Sequence, residues 1–102
     1  VEGCRDFVID GIQTVGTPSW NLVLGACDGV RINNIKLLGW LMCSDGIDIV
    51  GSRNVLVENC FLRNNDDCVA VKAVSYDMRT NDAKLDWRRD VQNVLVRNCV
   101  MH

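Results

Sequence analysis

Ser52-Arg53-Asn54-Val55-Leu56-Val57-Glu58-Asn59-Cys60 is matched without a gap by Val91-Gln92-Asn93-Val94-Leu95-Val96-Arg97-Asn98-Cys99. Two earlier stretches superpose on the same frame: Cys4-Arg5-Asp6-Phe7-Val8-Ile9-Asp10-Gly11-Ile12 and Cys27-Asp28-Gly29-Val30-Arg31-Ile32-Asn33-Asn34-Ile35. Phe7, Val30, Val55 and Val94 are then equivalent, at intervals of 23, 25 and 39 residues. The last interval exceeds its predecessor by 14, which one insertion accounts for. Self-similarity at such a period marks stacked repeats, each too small to bury its own apolar face.

Within every copy the apolar residues alternate (Val30 and Ile32, Val55 and Val57, Val94 and Val96), and a turn-prone Gly11, Asn34, Asn59 or Asn98 follows. That is strand periodicity closed by a turn; helical spacing never takes over. Second strands follow at Leu22 and Leu24, Ile47 and Ile49, and Val69 and Val71. Short strands at this spacing, with no hairpin dipeptides between them, predict a coil rather than a meander. The expected fold is therefore all-β, a parallel β-helix of about four coils in which equivalent residues stack about 4.8 Å apart. A leucine-rich repeat is the rival, but it requires Leu-dense strands and a helical return segment. Asn34, Asn59 and Asn98 are expected to form a side-chain ladder at one bend, each amide bonding the next. The open ends of such a coil expose unpaired edges, so residues 1–102 read as a single β-helix piece of a larger domain, marginal or aggregation-prone alone.

Composition agrees with a globular chain: 48% of residues are apolar and 24% charged. With 11 basic and 13 acidic residues, the formal charge of -2 gives no electrostatic reason to expect nucleic acid or an anionic membrane as partner. No run approaches the roughly 18 apolar residues of a membrane span. The start, Val1-Glu2-Gly3-Cys4-Arg5, lacks an initiator Met and a hydrophobic signal core, and reads as the edge of an excised piece. Six cysteines without a CxxC pair, and one His, do not suggest a zinc site. Disulfides of a secreted protein and cysteines stacked in a repeat core are both open readings.

The chemistry concentrates in two turns that open strands. Cys43-Ser44-Asp45-Gly46-Ile47-Asp48-Ile49 is answered by Asn65-Asp66-Asp67-Cys68-Val69-Ala70-Val71-Lys72. Aligning Ile47 with Val69 gives an offset of 22 residues, and the same offset carries Asp45 onto Asp67. If that offset is one repeat, Asp45 and Asp67 are stacked neighbours with Asp66 beside them. A single Asp before a strand is ordinarily a turn former. Three together place like charges close, an arrangement a coil has no structural reason to repeat. Glycoside hydrolysis needs such a set: a protonated carboxyl for the leaving oxygen and an ionised one to activate water or attack. Trp20 aligns one rung below Asp45, as a sugar-stacking platform or a packed surface Trp. Lys72 reads outward on the Asp48 face, where it meets an acidic sugar or is simply solvated; Asp48 reads as an exposed or supporting acid. An inserted loop at about 74–89 leaves the coil directly after the paired aspartates, a common place for ligand contacts.

These two motifs resemble the polygalacturonase family, glycoside hydrolase family 28. That family carries Asn-Thr-Asp-Gly, then a Gly-Asp-Asp-Cys-Ile-Ala-type motif one coil later; here Cys43-Ser44 stands in place of Asn-Thr. The resemblance implies a right-handed parallel β-helix that hydrolyses pectic polysaccharides with inversion and needs no metal or other cofactor. It implies Asp66 as general acid, with Asp45 and Asp67 holding and deprotonating the attacking water. Cys99 resembles the family cysteine that pairs with the one after the double Asp, which implies a Cys68 to Cys99 bridge. The family's Gly-His-Gly and Arg-Ile-Lys motifs would fall after Cys99, and His102 is not equated with the first. The implied protein is secreted or periplasmic, with a polysaccharide substrate, and is a monomer as part of a longer chain. The fragment by itself is expected to be inactive. A calcium-dependent polysaccharide lyase and a non-catalytic β-helix adhesin or carbohydrate-binding surface are the alternatives.

Overall fold

In the computed structural model, residues 1–74 and 86–102 are described, and every regular element among them is a strand. The alternating runs become β1 (Arg5–Asp10), β4 (Asp28–Asn33), β7 (Arg53–Glu58) and β10 (Gln92–Arg97), which pair in that order into one parallel sheet. A second sheet stacks β2 (Gln13–Val15), β5 (Lys36–Leu38), β8 (Phe61–Arg63) and β11 (Val100–Met101), and a third stacks β3 (Leu22–Gly25), β6 (Ile47–Val50) and β9 (Val69–Lys72). Each strand pairs only with its equivalents in adjacent turns, so the chain winds as a parallel β-helix of triangular section. Phe7, Val30, Val55 and Val94 share one register line, the frame the repeat alignment requires.

Inward residues of the three sheets meet in one stacked core. Val30, Ile32, Val55 and Val57 come from the first sheet, Leu37 and Leu62 from the second, and Leu24, Ile47 and Ile49 from the third, all with 2% exposure or less. The direction of the chain changes at positions of positive φ. Gly11, Asn34, Asn59 and Asn98 lie at 69°, 53°, 57° and 51°, the left-handed conformation that Gly and Asn tolerate best. A second column, Asp6, Gly29, Asn54 and Asn93, bends the start of each long strand in the same way.

The asparagine ladder exists, but it changes column. Asn98 Nδ2 donates to Asn59 Oδ1, Asn59 Nδ2 to Asn33 Oδ1 at 2.8 Å, and Asn33 Nδ2 to Asp10 Oδ2 at 2.9 Å. Asn33 therefore takes the place expected of Asn34. The reason lies one turn below: Asn34 stacks on Gly11, which offers nothing to bond, whereas Asn33 stacks on Asp10, whose carboxylate accepts. A second ladder runs from Asn93 through Asn54 to Asp28, at 3.0 and 2.7 Å.

All six cysteines are free, and the expected bridge from Cys68 to Cys99 is not formed. Cys99 stacks on Cys60 in the coil, as the Phe61 to Val100 register requires, and its Sγ faces the carbonyl of Arg97 at 3.2 Å. The Cys68 Sγ faces instead the carbonyl oxygens of His102 and Leu62, at 3.4 and 3.6 Å. Cys27 and Cys60 are core residues, and burial pushes both thiols above their ordinary pKa.

The insertion occupies the connection from β9 to β10. Its stretch from Tyr76 to Leu85 lies outside the described residues, and the return segment from Asp86 lies against the coil. Trp87 packs on Gly25, where an added Cβ would sit 2.1 Å from the indole Cε2. Arg89 Nε donates to the Gly51 carbonyl at 2.7 Å.

Candidate active site at the third corner

Three turns stack at the corner before the third sheet: residues 16–21, 39–46 and 64–68. Their backbones form a ladder of their own. Asn21 N donates to Asp45 O at 2.9 Å, Leu22 N to Gly46 O at 3.0 Å and Gly46 N to Asp67 O at 2.8 Å. Trp20, Asp45 and Asp67 thus occupy equivalent places in successive turns. The corner closes tightly because position 46 has no side chain: a Cβ there would lie 2.3 Å from the Cys68 carbonyl oxygen.

The carboxylates divide into two environments. Asp66 and Asp67 are exposed, and the Asp67 amide donates to Asp66 Oδ1 at 3.0 Å, a local turn contact that breaks strand alternation. Asp45 is only 3% exposed and Asp48 has no exposed surface. Lys72 reaches into the space between them. Its Nζ donates to Asp45 Oδ2 at 2.7 Å and to Asp48 Oδ1, and lies 3.8 Å from the centroid of the Trp20 ring. Asp45 Oδ1 and Asp48 Oδ2 have no protein partner.

Burial drives the electrostatics. Desolvation pushes the Asp48 carboxyl up to about 6; Lys72 opposes the shift and the neighbouring Asp45 carboxyl adds to it. Burial alone would depress the Lys72 ammonium, but its bonds to Asp45 and Asp48 outweigh that and hold its pKa above the ordinary lysine value. Deeper in the corner, the buried Asn64 side chain has neither amide atom bonded, and Ser44 has no exposed surface. Among the described residues no three His, Cys, Asp or Glu side chains gather so as to hold a metal ion, and no helix is long and apolar enough to cross a membrane.

The coil, the stacked corner and the two acidic turns can be set beside known proteins. The profile of glycosyl hydrolases family 28 matches residues 1–86. The chain belongs to this family. It is 32% identical over 84 residues to the polygalacturonase of Juniperus ashei, covering 80% of this chain and 17% of that protein. It is likewise 32% identical over 77 residues to the polygalacturonase of Cryptomeria japonica, with coverage of 74% and 15%. The probable rhamnogalacturonase A of Aspergillus oryzae is 30% identical over 83 residues, with coverage of 80% and 18%. The family 28 chain thus spans less than a fifth of the length of these relatives. No solved structure matches it significantly.

Of the residues singled out from the sequence, Trp20, Asp45 and Lys72 meet at one point, and Asp66 and Asp67 lie in the turn stacked on that of Asp45. One expectation changes: Lys72 is not a solvated outward lysine but the cation of a largely buried cluster, and of the two readings of Asp48 the structure places it as the supporting acid, the second carboxylate of that cluster. The signal for this pair was present. The 22-residue offset sets Asp48 opposite Ala70, and Lys72 lies two residues further along β9, the diagonal neighbour that a long side chain reaches. Trp87 gave no comparable signal, because its contact with Gly25 joins residues 62 apart with no shared register.

Proposed function

We propose that this family 28 chain is the catalytic-corner portion of a glycoside hydrolase that cleaves a pectic polysaccharide by single displacement with inversion. The observation that carries the reading is the stacking of the turn that bears Asp45 on the turn that bears Asp66 and Asp67, within a family whose relatives are named polygalacturonases and rhamnogalacturonases. Asp66, exposed and within reach of a bound polymer, is the general acid that protonates the leaving oxygen. Asp45 and Asp67 hold the attacking water and take its proton, which requires an acid-to-base separation of roughly 6.5 to 9.5 Å across the sugar. Lys72 contacts Asp45 and lies over the Trp20 ring beside it. The intact protein acts outside the cell or in the periplasm, where its polymer substrate is found.

The test is Asp66→Asn in the protein that carries this chain, with folding checked by circular dichroism. The expected result is a loss of hydrolytic rate of about 100-fold or more, in keeping with removal of a general acid. A folded variant that keeps most of its rate rejects the assignment. Proton NMR of the fresh product reads the anomeric configuration, and retention rejects single displacement. An unsaturated product that requires calcium would point to a lyase.

A further inference from the structure

We propose that Lys72 is a positioning residue rather than a contact for substrate: its ammonium, backed by the Trp20 ring and countered by Asp48, holds the Asp45 carboxylate at the corner. The proposal rests on the reading of Asp45 as part of the water-activating pair.

Three turns of the coil each contribute one part. Trp20 comes from the first, Asp45 and Asp48 from the second, and Lys72 from the third. Such an arrangement fixes the Asp45 carboxylate relative to the turns both above and below it. An ammonium has three donors and no acceptor. Two of those donors are committed to internal carboxylates, and the Trp20 ring takes up a further face of the ammonium. The Lys72 side chain is only 27% exposed. A uronate carboxylate could bind it only by displacing a carboxylate already bound at short range, so substrate contact is the weaker role.

Of the two Asp45 oxygens Lys72 bonds Oδ2, while Oδ1 is buried in the corner without a protein partner, so the brace fixes a carboxylate that is otherwise enclosed. Asp48 is enclosed as well, with no exposed surface, and its carboxyl neighbours that of Asp45. The charged groups around the cluster are Lys72 on β9, Asp48 on β6, and Asp66 and Asp67 in the turn before β9. The turn before β3 contributes no charged group: Trp20 lies against the ammonium, and Asn21 Nδ2 donates to the Asp45 carbonyl at 3.1 Å. Lys72 is thus a cation in direct contact with both carboxylates.

Two readouts on the protein carrying this chain separate the possibilities. The first is kinetic, with a pectic oligosaccharide as substrate. Lys72→Met is expected to lower kcat at least 10-fold, leave KM within about twofold, and move the acid limb of the pH profile upward, while Lys72→Arg restores part of the rate. A raised KM with kcat retained, lost on a methyl-esterified substrate, overturns the proposal in favour of substrate contact. A loss explained by a smaller folded fraction, with an unmoved acid limb, overturns it in favour of a purely structural role. Should Met prevent folding, Lys72→Arg carries the same KM-against-kcat decision. The second readout is carboxyl 13C NMR of Asp48, which needs no activity and so stands apart from the hydrolase reading. Removing the cation should raise the Asp48 midpoint from about 6 by one pH unit or more. An unmoved midpoint shows that the brace does not exist.

Discussion

Asp48 shows how a single residue can set a pH dependence for the whole corner. Its carboxyl has an ordinary value of 3.8 and is pushed up to about 6, chiefly by burial. The folded state therefore holds this proton more tightly than the unfolded chain. Its contribution is fully present below about pH 4 and is lost as pH rises through about 6. Asp48→Asn removes the ionisation, so the variant should gain on the parent across that window, by about 1–3 kcal/mol at about 1.4 kcal/mol per unit. Melting temperatures measured from pH 3.5 to 7 check this: the difference, variant minus parent, should grow with pH. A constant difference would show that Asp48 titrates normally. Gly46 makes a steric point at the same scale. With an added Cβ only 2.3 Å from a backbone oxygen, Gly46→Ala must push the Asp45 and Asp67 turns apart, and the variant should unfold at a lower temperature by calorimetry.

Between elements, the coil is tied by columns of polar side chains as well as by its backbone. Glu58, at the end of β7 and 5% exposed, accepts from Arg31 Nη2 on β4 and Arg97 Nη2 on β10, both at 2.7 Å. The two arginines and their hydrogen bonds hold the Glu58 carboxyl below its usual range. The sign is therefore opposite to that of Asp48. This stabilisation is present above the ordinary Glu pKa of 4.5 and disappears as pH falls below it. Glu58→Gln should lower the melting temperature at pH 7, and the deficit should shrink toward pH 3. The asparagine ladders belong to the same scale, and they explain why Asn recurs at the bends. It tolerates positive φ, and its amide offers both a donor and an acceptor to the neighbouring turns.

At the scale of the molecule, protection should follow position along the coil. β4 and β7 are paired on both sides, whereas β1 and β10 are the outer strands of their sheet and β3 and β9 those of the third. Val71 on β9 is 57% exposed although its equivalents Leu24 and Ile49 are fully buried, because no further turn covers it among the described residues. In the isolated chain of residues 1–102, hydrogen exchange should be slowest in the inner strands β4, β6 and β7 and faster in β1, β3, β9 and β10. Uniform protection across all strands would contradict a stacked-turn account of stability. The sequence by itself determined the repeat, the strand periodicity, the register line through Phe7, Val30, Val55 and Val94, and the stacking of Asp45 on Asp67. Each of these follows from an offset constant along the chain, and a solenoid converts such offsets directly into contacts. What only the tertiary structure decided was where long or flexible side chains end. Lys72 crosses diagonally to two buried carboxylates and lies against Trp20, Asn33 displaces Asn34 from its ladder because Gly11 lies beneath, and Trp87 settles on Gly25 from a distant segment. Cys68 and Cys99 point to different carbonyl groups rather than to each other. Side-chain reach and the burial it brings are properties of the assembled corner, and no offset encodes them.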